Sequence, residues 1–252
     1  MSIPTHKGGK LGKLKPVGHS DTLLFNSALS KAILPALPPS VAWESKVTSW
    51  NMLLNDQLGD CVEAAIGHTI MTMTSQASSI VIPTDNQIQD AYSGITGYVP
   101  GDPSTDNGTV MVEALAYWRN NGIANDKIVG WASVKIDSDL IEFRHAIALF
   151  GTVLVGFNFP QSAMDQFNYG QPWSIDMTSP LIGGHCVAVS EYDNQRLVCE
   201  TWGALQPMTL GFLPYYADEA YVVITQDWIE SNKRSPSGYN ISVLTGDSKV
   251  LN

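Results

Sequence analysis

Charge is scarce in this chain. Only 15% of its 252 residues are charged, and 14 Lys and Arg against 24 Asp and Glu leave a net charge of −10. Phosphate backbones are bound by clustered Lys and Arg, so the composition argues against nucleic acid as a partner of the folded body. Cysteine is scarcer still. Cys61, Cys186 and Cys199 are too few and too scattered for a disulfide framework or a four-ligand zinc site, which points to a reducing compartment and implies neither metal nor cofactor. Long hydrophobic runs are missing: none approaches the roughly 20 residues of a membrane-spanning helix. The N-terminus carries lysines and glycines where a signal peptide has its apolar stretch, so neither membrane insertion nor secretion by that route is expected.

Apolar residues make up 44% of the chain, enough for one large domain or two joined lobes. Lys7, Lys10, Lys13, Lys15 and Lys31 all precede position 35, where Asp21 is the only acid, so a basic arm stands ahead of an acidic body. MSIPTHKGGKLGKLKPVGHS has no apolar periodicity and reads as an extended arm, for which the plain reading is a solvated terminus. Asp21 to Leu34 has room for a short helix, broken by the prolines of LPALPPS. The organisation expected is an arm over 1–37, a helical lobe over 38–130, a β lobe over 131–230 and a polar tail over 231–252.

In CVEAAIGHTIMTMTS the apolar residues Val62, Ala65, Ile66, Ile70 and Met73 recur at helical spacing, with Asp60 at the N-cap position. Helices are also predicted from Thr84 to about Ile95 and from Val110 to Asn121, the last closed by Gly122. Beyond them WASVKI, TVLVGFNF, HCVAVSEY, RLVCETW, MTLGFL and AYVVIT read as strands, with one helix in SDLIEFRHAIALF. The class is α+β, a helical lobe followed by a mainly antiparallel sheet or barrel.

A cysteine at a helix start meets unpaired N–H groups and the positive end of the helix dipole, which favour a thiolate and supply an oxyanion donor. That places Cys61 as a candidate nucleophile, although a lone cysteine is more often inert packing. Its company lifts it. His185 follows Gly183 and Gly184 at the opening of a strand, as a general base would. Glu200, on the next strand, is expected beside His185, fixing its tautomer and favouring the imidazolium, with Trp202 shielding the pair. Cys186 and Cys199 alternate away from these residues and read as core thiols, near each other. His68, two turns or about 10.5 Å along the helix from Cys61, reads as a hydrogen-bonded core histidine. FLPYYADEAY reads as core or cleft lining.

PPSVAWESKVTSW, NDQLGDC, GGHCVAV and ETWG stand in one order, and His185 follows Cys61 by 124 residues and Glu200 follows it by 139, near the roughly 130–150 residues of papain-like enzymes. With PTDNQIQDAY and DNGTVMVEALAYWRNNGI between them, these blocks resemble the papain family over about residues 38–228. The resemblance implies a papain-like fold with its cleft between the lobes, and Cys61, His185 and Glu200 as the catalytic set, Glu200 standing where the family has Asn. Asn55 matches the oxyanion glutamine, with Gln57 in reserve. Gly108 and Thr109 match the cleft wall, where Thr109 in place of a glycine weighs against main-chain pairing with an extended peptide. Asp60 beside the nucleophile opposes a thiolate.

The activity implied is hydrolysis of peptide or peptide-like amide bonds, by a thiol protease acting on peptide or protein substrates. A transferase or deamidase on the same scaffold is a third option. LLNDQLGDC and AAIGH are also similar to papain-like proteins of phage and prophage, which implies the alternative: a virion or assembly protein with catalysis secondary or lost, in the cytoplasm or a virion. The residues ahead of the domain are too few and too polar for a long inhibitory propeptide. Residues 1–20 and the tail after Ser231 are therefore expected to lie on other subunits, with Leu11, Leu14 and Val17 buried there.

Overall fold

The computed structural model describes residues 7–18, 20, 22–25, 36–77 and 79–225. The polar tail, His6, His19 and most of the helix expected over 21–34 lie outside the described residues. Of that stretch only 22–25 are described, and there β1 (Leu23–Leu24) is extended and pairs with a later strand.

Helix α1 (Cys61–Gln76) is buried continuously from Cys61 to Thr74. Apart from Glu63, His68 and Gln76 its residues are apolar or small on all sides, the pattern of a helix inside a core. Asp60 occupies the N-cap position without capping through its side chain; the carboxylate accepts from Asn55 Nδ2 at 3.2 Å instead. Helix α2 (Asp85–Thr96) begins in a capping box between Thr84 and Gln87 and ends at Gly97, whose positive φ closes it. Helix α3 (Met111–Asn121) stops at Gly122. All three helices begin within a residue of the expected positions.

The rest is a mainly antiparallel open sheet. β2 (Val41–Ala42), β3 (Ile128–Ser133), β4 (Val153–Pro160), β5 (Leu181–Tyr192), β6 (Arg196–Thr201), β7 (Ala204–Thr209) and β8 (Ala217–Thr225) join β1 in the order β1-β3-β8-β4-β5-β6-β7, with β2 on the far end of β5. The expected helix over SDLIEFRHAIALF is α4 (Ile141–Phe150). Two helices escaped prediction. α5 (Gln161–Asn168) is short and polar, and α6 (Phe212–Tyr216) takes FLPYY out of what reads as strand. β3 starts earlier than WASVKI because it pairs with β8 from Ile128, across a bulge before Gly130.

One feature of the sheet positions the site. β6 pairs with β5 only from Ala188 onward, opposite Glu200, while β4 covers the other edge of β5 along most of its length. The edge of β5 around Gly184 and Cys186 is therefore left without a strand partner, and α1 packs with its first turn toward it.

The core holds several ionisable groups. Burial pushes the Glu63 carboxyl up to about 8, and burial with Glu191 nearby takes Glu44 up to about 7. Asp60 and Glu200 are raised by burial as well. Each raised carboxyl contributes stability that is complete below its ordinary value and lost as pH climbs through its folded value. His68 and His185 act in reverse: burial lowers them to about 4 and about 3, so their contribution is lost as pH falls below 6.5. Four carboxyls outweigh two imidazoles, and between pH 5 and 8 the folded chain binds more protons than the unfolded one. The melting temperature is expected to fall as pH is raised from 5 to 8, and Glu63→Gln to flatten that slope. A melting temperature that climbs over this interval would show these carboxyls to be ionised in the fold.

Candidate active site

Cys61 opens α1 and is 1% exposed; His185 lies on β5 and is fully buried. Because the edge of β5 is bare here, the backbone N–H of Cys186 is free to face the Cys61 sulfur, and the N–H of Gly12 faces it as well. The His185 ring is stacked on Trp202 at 4.3 Å with an interplanar angle of 19°, and Phe159 meets it edge-on at 5.2 Å. Trp202 thus covers one face of the imidazole.

The partner of His185 differs from expectation. Its Nε2 is 2.7 Å from Thr201 Oγ1. Glu200, expected in that place, hydrogen-bonds Ser190, which also reaches Glu44 at 3.2 Å. Neighbouring residues on a strand point to opposite faces. With Glu200 opposite Ala188, its side chain shares the Ser190 face, and Thr201 takes the His185 face. Nδ1 of His185 is buried and has no hydrogen-bond partner among the described residues.

The electrostatics describe a closed site. Burial pushes the Cys61 thiol up to about 12; the N–H groups of Cys186 and Gly12 oppose this, while Glu63 and Asp60 add to it. Burial alone takes His185 down to about 3. Burial favours a neutral thiol at Cys61 and a neutral imidazole at His185 over the expected thiolate and imidazolium, and no carboxylate among the described residues is hydrogen-bonded to the ring.

The arm lies across the site. Lys10 N–H donates to Asn55 O at 2.7 Å, Thr109 N–H to Gly12 O at 2.8 Å, Lys13 N–H to Gly184 O at 3.0 Å and Leu14 N–H to Thr109 O at 2.9 Å. Thr109 therefore does pair through its main chain with an extended segment, against expectation, since its side chain turns away to Glu63 at 2.8 Å. Gly8 N–H donates to Asn168 Oδ1 at 2.7 Å. A Cβ on Gly12 would stand 1.7 Å from Gly59 O, and one on Gly108 2.1 Å from Gly12 O, so arm and wall touch backbone to backbone. The arm expected on another subunit lies in the chain's own cleft. Leu11 packs over Gly183, while Leu14 and Val17 remain exposed.

Of the two oxyanion candidates, buried Asn55 directs Nδ2 toward Lys10 O, Leu58 O and Asp60 Oδ1, each at 3.2 Å. One of those acceptors is a peptide carbonyl of the arm. Gln57 is exposed on the turn. Gly108 is held by Tyr92, whose hydroxyl accepts from its N–H at 2.9 Å and donates to Asp106 at 2.6 Å; Asp106 in turn accepts from Gly59 N–H at 3.0 Å. That chain of bonds ties the cleft wall to the turn before Cys61. His68 is a core histidine, its Nε2 2.9 Å from Asn51 O. All three cysteines are free and buried. Cys186 lies in electrostatic reach of Cys61 and Lys13, whereas Cys199 sees Glu200. No helix among the described residues is long and apolar enough to cross a membrane.

Thr201 is the residue that sequence reasoning missed. Its signal was present in the spacing: it lies next to Trp202, on the strand that follows His185.

No protein-family model matches the chain, and no curated relative is found by sequence. Solved structures resemble it in shape. Xylellain, a cysteine protease from Xylella fastidiosa, superposes with a TM-score of 0.67 at 16% identity, over 89% of this chain and 99% of that one. The proform of the ragweed pollen allergen Amb a 11, also a cysteine protease, gives 0.59 at 16% identity, over 78% and 69% of the two chains. The Carica candamarcensis cysteine protease CMS1MS2, in complex with E-64, gives 0.53 at 13% identity over 74% and 98%. The helical side and the open sheet thus form a papain-like fold.

Proposed function

We propose that this chain is a papain-like thiol peptidase kept latent by its own N-terminal arm. The observation that carries the reading is the arm's course. An extended peptide lies over Cys61, held by main-chain hydrogen bonds to Thr109 on the helical side and Gly184 on the sheet side, which is how a cleft that accepts peptides in general has to hold them.

In the open enzyme His185 Nδ1 takes the proton from Cys61 Sγ, and the thiolate attacks the peptide carbonyl carbon. Asn55 Nδ2 and the Cys61 N–H receive the oxyanion, His185 returns the proton to the leaving amine, and water attacks the thioester to release the acid. Thr201 orients the ring through Nε2. As a neutral partner it fixes the tautomer without stabilising the imidazolium as a carboxylate would. Admitting water reverses the burial that holds thiol and imidazole neutral, so the nucleophile is made by opening. In the closed state burial keeps the thiol protonated at neutral pH.

The alternative role in a virion or assembly has less to rest on, because the arm that was to hold a neighbour is engaged within its own chain. A phage source would fit either role.

Gly12→Val places a side chain where Gly59 O stands and is expected to expel the arm. Labelling of Cys61 by iodoacetamide should then speed up at least about tenfold over the unaltered chain, and fluorogenic peptide amides should be hydrolysed. Cys61→Ala added to Gly12→Val should abolish both. Rapid labelling without hydrolysis of any peptide amide would sink the peptidase reading.

In the same opened background Thr201→Val is expected to lower kcat about 10- to 100-fold with little change in KM, since it frees the ring without touching the substrate path. Glu200→Gln, facing Ser190, should change kcat less than about threefold. Equal losses from the two variants would return the orienting role to Glu200.

A further inference from the structure

Lys13 is an arm side chain that the body encloses. Its side chain is 2% exposed, and Nζ lies 2.6 and 2.7 Å from the two carboxylate oxygens of Asp218 and 3.1 Å from Glu219 Oε1. Glu219 is itself positioned, its other oxygen accepting from the Tyr221 hydroxyl at 2.9 Å. The stem of the lysine passes over Gly156, which lies opposite Glu219 in the sheet. A Cβ there would stand 2.3 Å from Lys13 Cε and 2.9 Å from both Glu219 Cγ and Met111 Sδ. The glycine makes room for a long side chain, and the two acids at the end of the slot require that it be a cation.

The slot opens onto the peptide path. Lys13 N–H is bound by Gly184 O, and its neighbours Gly12 and Leu14 are bound by Thr109. The preceding residue, Gly12, is the one whose N–H faces the Cys61 sulfur. Any extended peptide that replaces the arm along these main-chain partners must put a side chain into this slot or leave the partly exposed Asp218 and the buried Glu219 side by side without a cation.

We propose that this acidic slot is the side-chain pocket by which the cleft selects its peptides, and that it takes a lysine or arginine. Selection during cleavage rests on the peptidase reading above; selection in binding does not. Asp218 and Glu219 are then the specificity-determining residues, and Lys13 is the arm's imitation of the selected side chain.

The test uses the full chain carrying Lys13→Leu, Lys13→Arg or neither, with the rate of Cys61 alkylation by iodoacetamide as readout. Lys13→Leu is expected to raise that rate at least about tenfold and Lys13→Arg to leave it within about threefold. The peptide KGGKLGKLKPVG, added to the Lys13→Leu chain, should protect Cys61 at a concentration at least about tenfold lower than the same peptide with leucine at the position of Lys13. Asp218→Asn with Glu219→Gln should erase that difference. Tetrapeptide fluorogenic amides with Lys, Arg, Leu, Phe or Glu fixed at each position then report on cleavage, with Lys and Arg expected to lead at least about tenfold at one position. An arm that stays closed with leucine, equal protection by the two peptides, or hydrolysis without a Lys or Arg preference overturns the proposal. Lysine-selective protection with no hydrolysis of any amide leaves the slot in place and removes the peptidase reading instead.

Discussion

The bare edge of β5 is the constraint on which the site depends. β6 joins β5 only from Ala188, so the backbone groups of Gly184 and Cys186 have no strand beside them. Buried backbone groups need partners. The Cys61 sulfur meets the N–H of Cys186, and the arm supplies the N–H of Lys13 to Gly184 O. A sheet completed along that edge would satisfy the same groups and leave no cleft. The gap in pairing thus brings a helix start, a histidine and an extended peptide to one place.

The closed state is chemically quiet for reasons of solvation. Cys61 at a helix start has the N–H groups and dipole that favour a thiolate, yet burial and the nearby Glu63 and Asp60 carboxyls outweigh them. His185 sits among aromatic rings, with a hydroxyl on one nitrogen and, among the described residues, no hydrogen-bond partner on the other. The arm is part of this arrangement: it contributes Gly12 N–H beside the sulfur, occupies Asn55 with the Lys10 carbonyl and pairs with Thr109.

The acids of this chain are unevenly used. Burial pushes Glu63, Glu200, Asp60 and Glu219 above the usual carboxylate range, and Glu219 together with Asp218 faces Lys13, a lysine that the body encloses. The basic arm and acidic body visible in the composition meet in that slot and, at the rim, in the pairing of Lys10 with Asp106 at 3.3 Å. The two contacts differ in weight. Half of the Lys10 side chain remains in water, where an ion pair contributes little, while that of Lys13 is enclosed and its loss leaves the buried Glu219 without its cation.

The sequence by itself determined the local elements and their order. Capping at Thr84, the stop at Gly122, the periodicity after Cys61 and the alternating strands are encoded within a few residues, and the helix starts follow them. The candidate nucleophile and base were legible because a cysteine at a helix start and a histidine behind glycines are local patterns. Which residue orients the base was decided by tertiary structure. Glu200 and Thr201 are neighbours whose side chains point to opposite faces, and a strand register set by the pairing of Ala188 with Glu200, beside a bulge between Val189 and Glu191, determines which one meets His185. The arm's place was decided there too. Its glycines and lysines carry no periodic signal, and its partners, Thr109, Gly184 and Asp218, lie far along the chain, so only folding brings them within hydrogen-bonding distance.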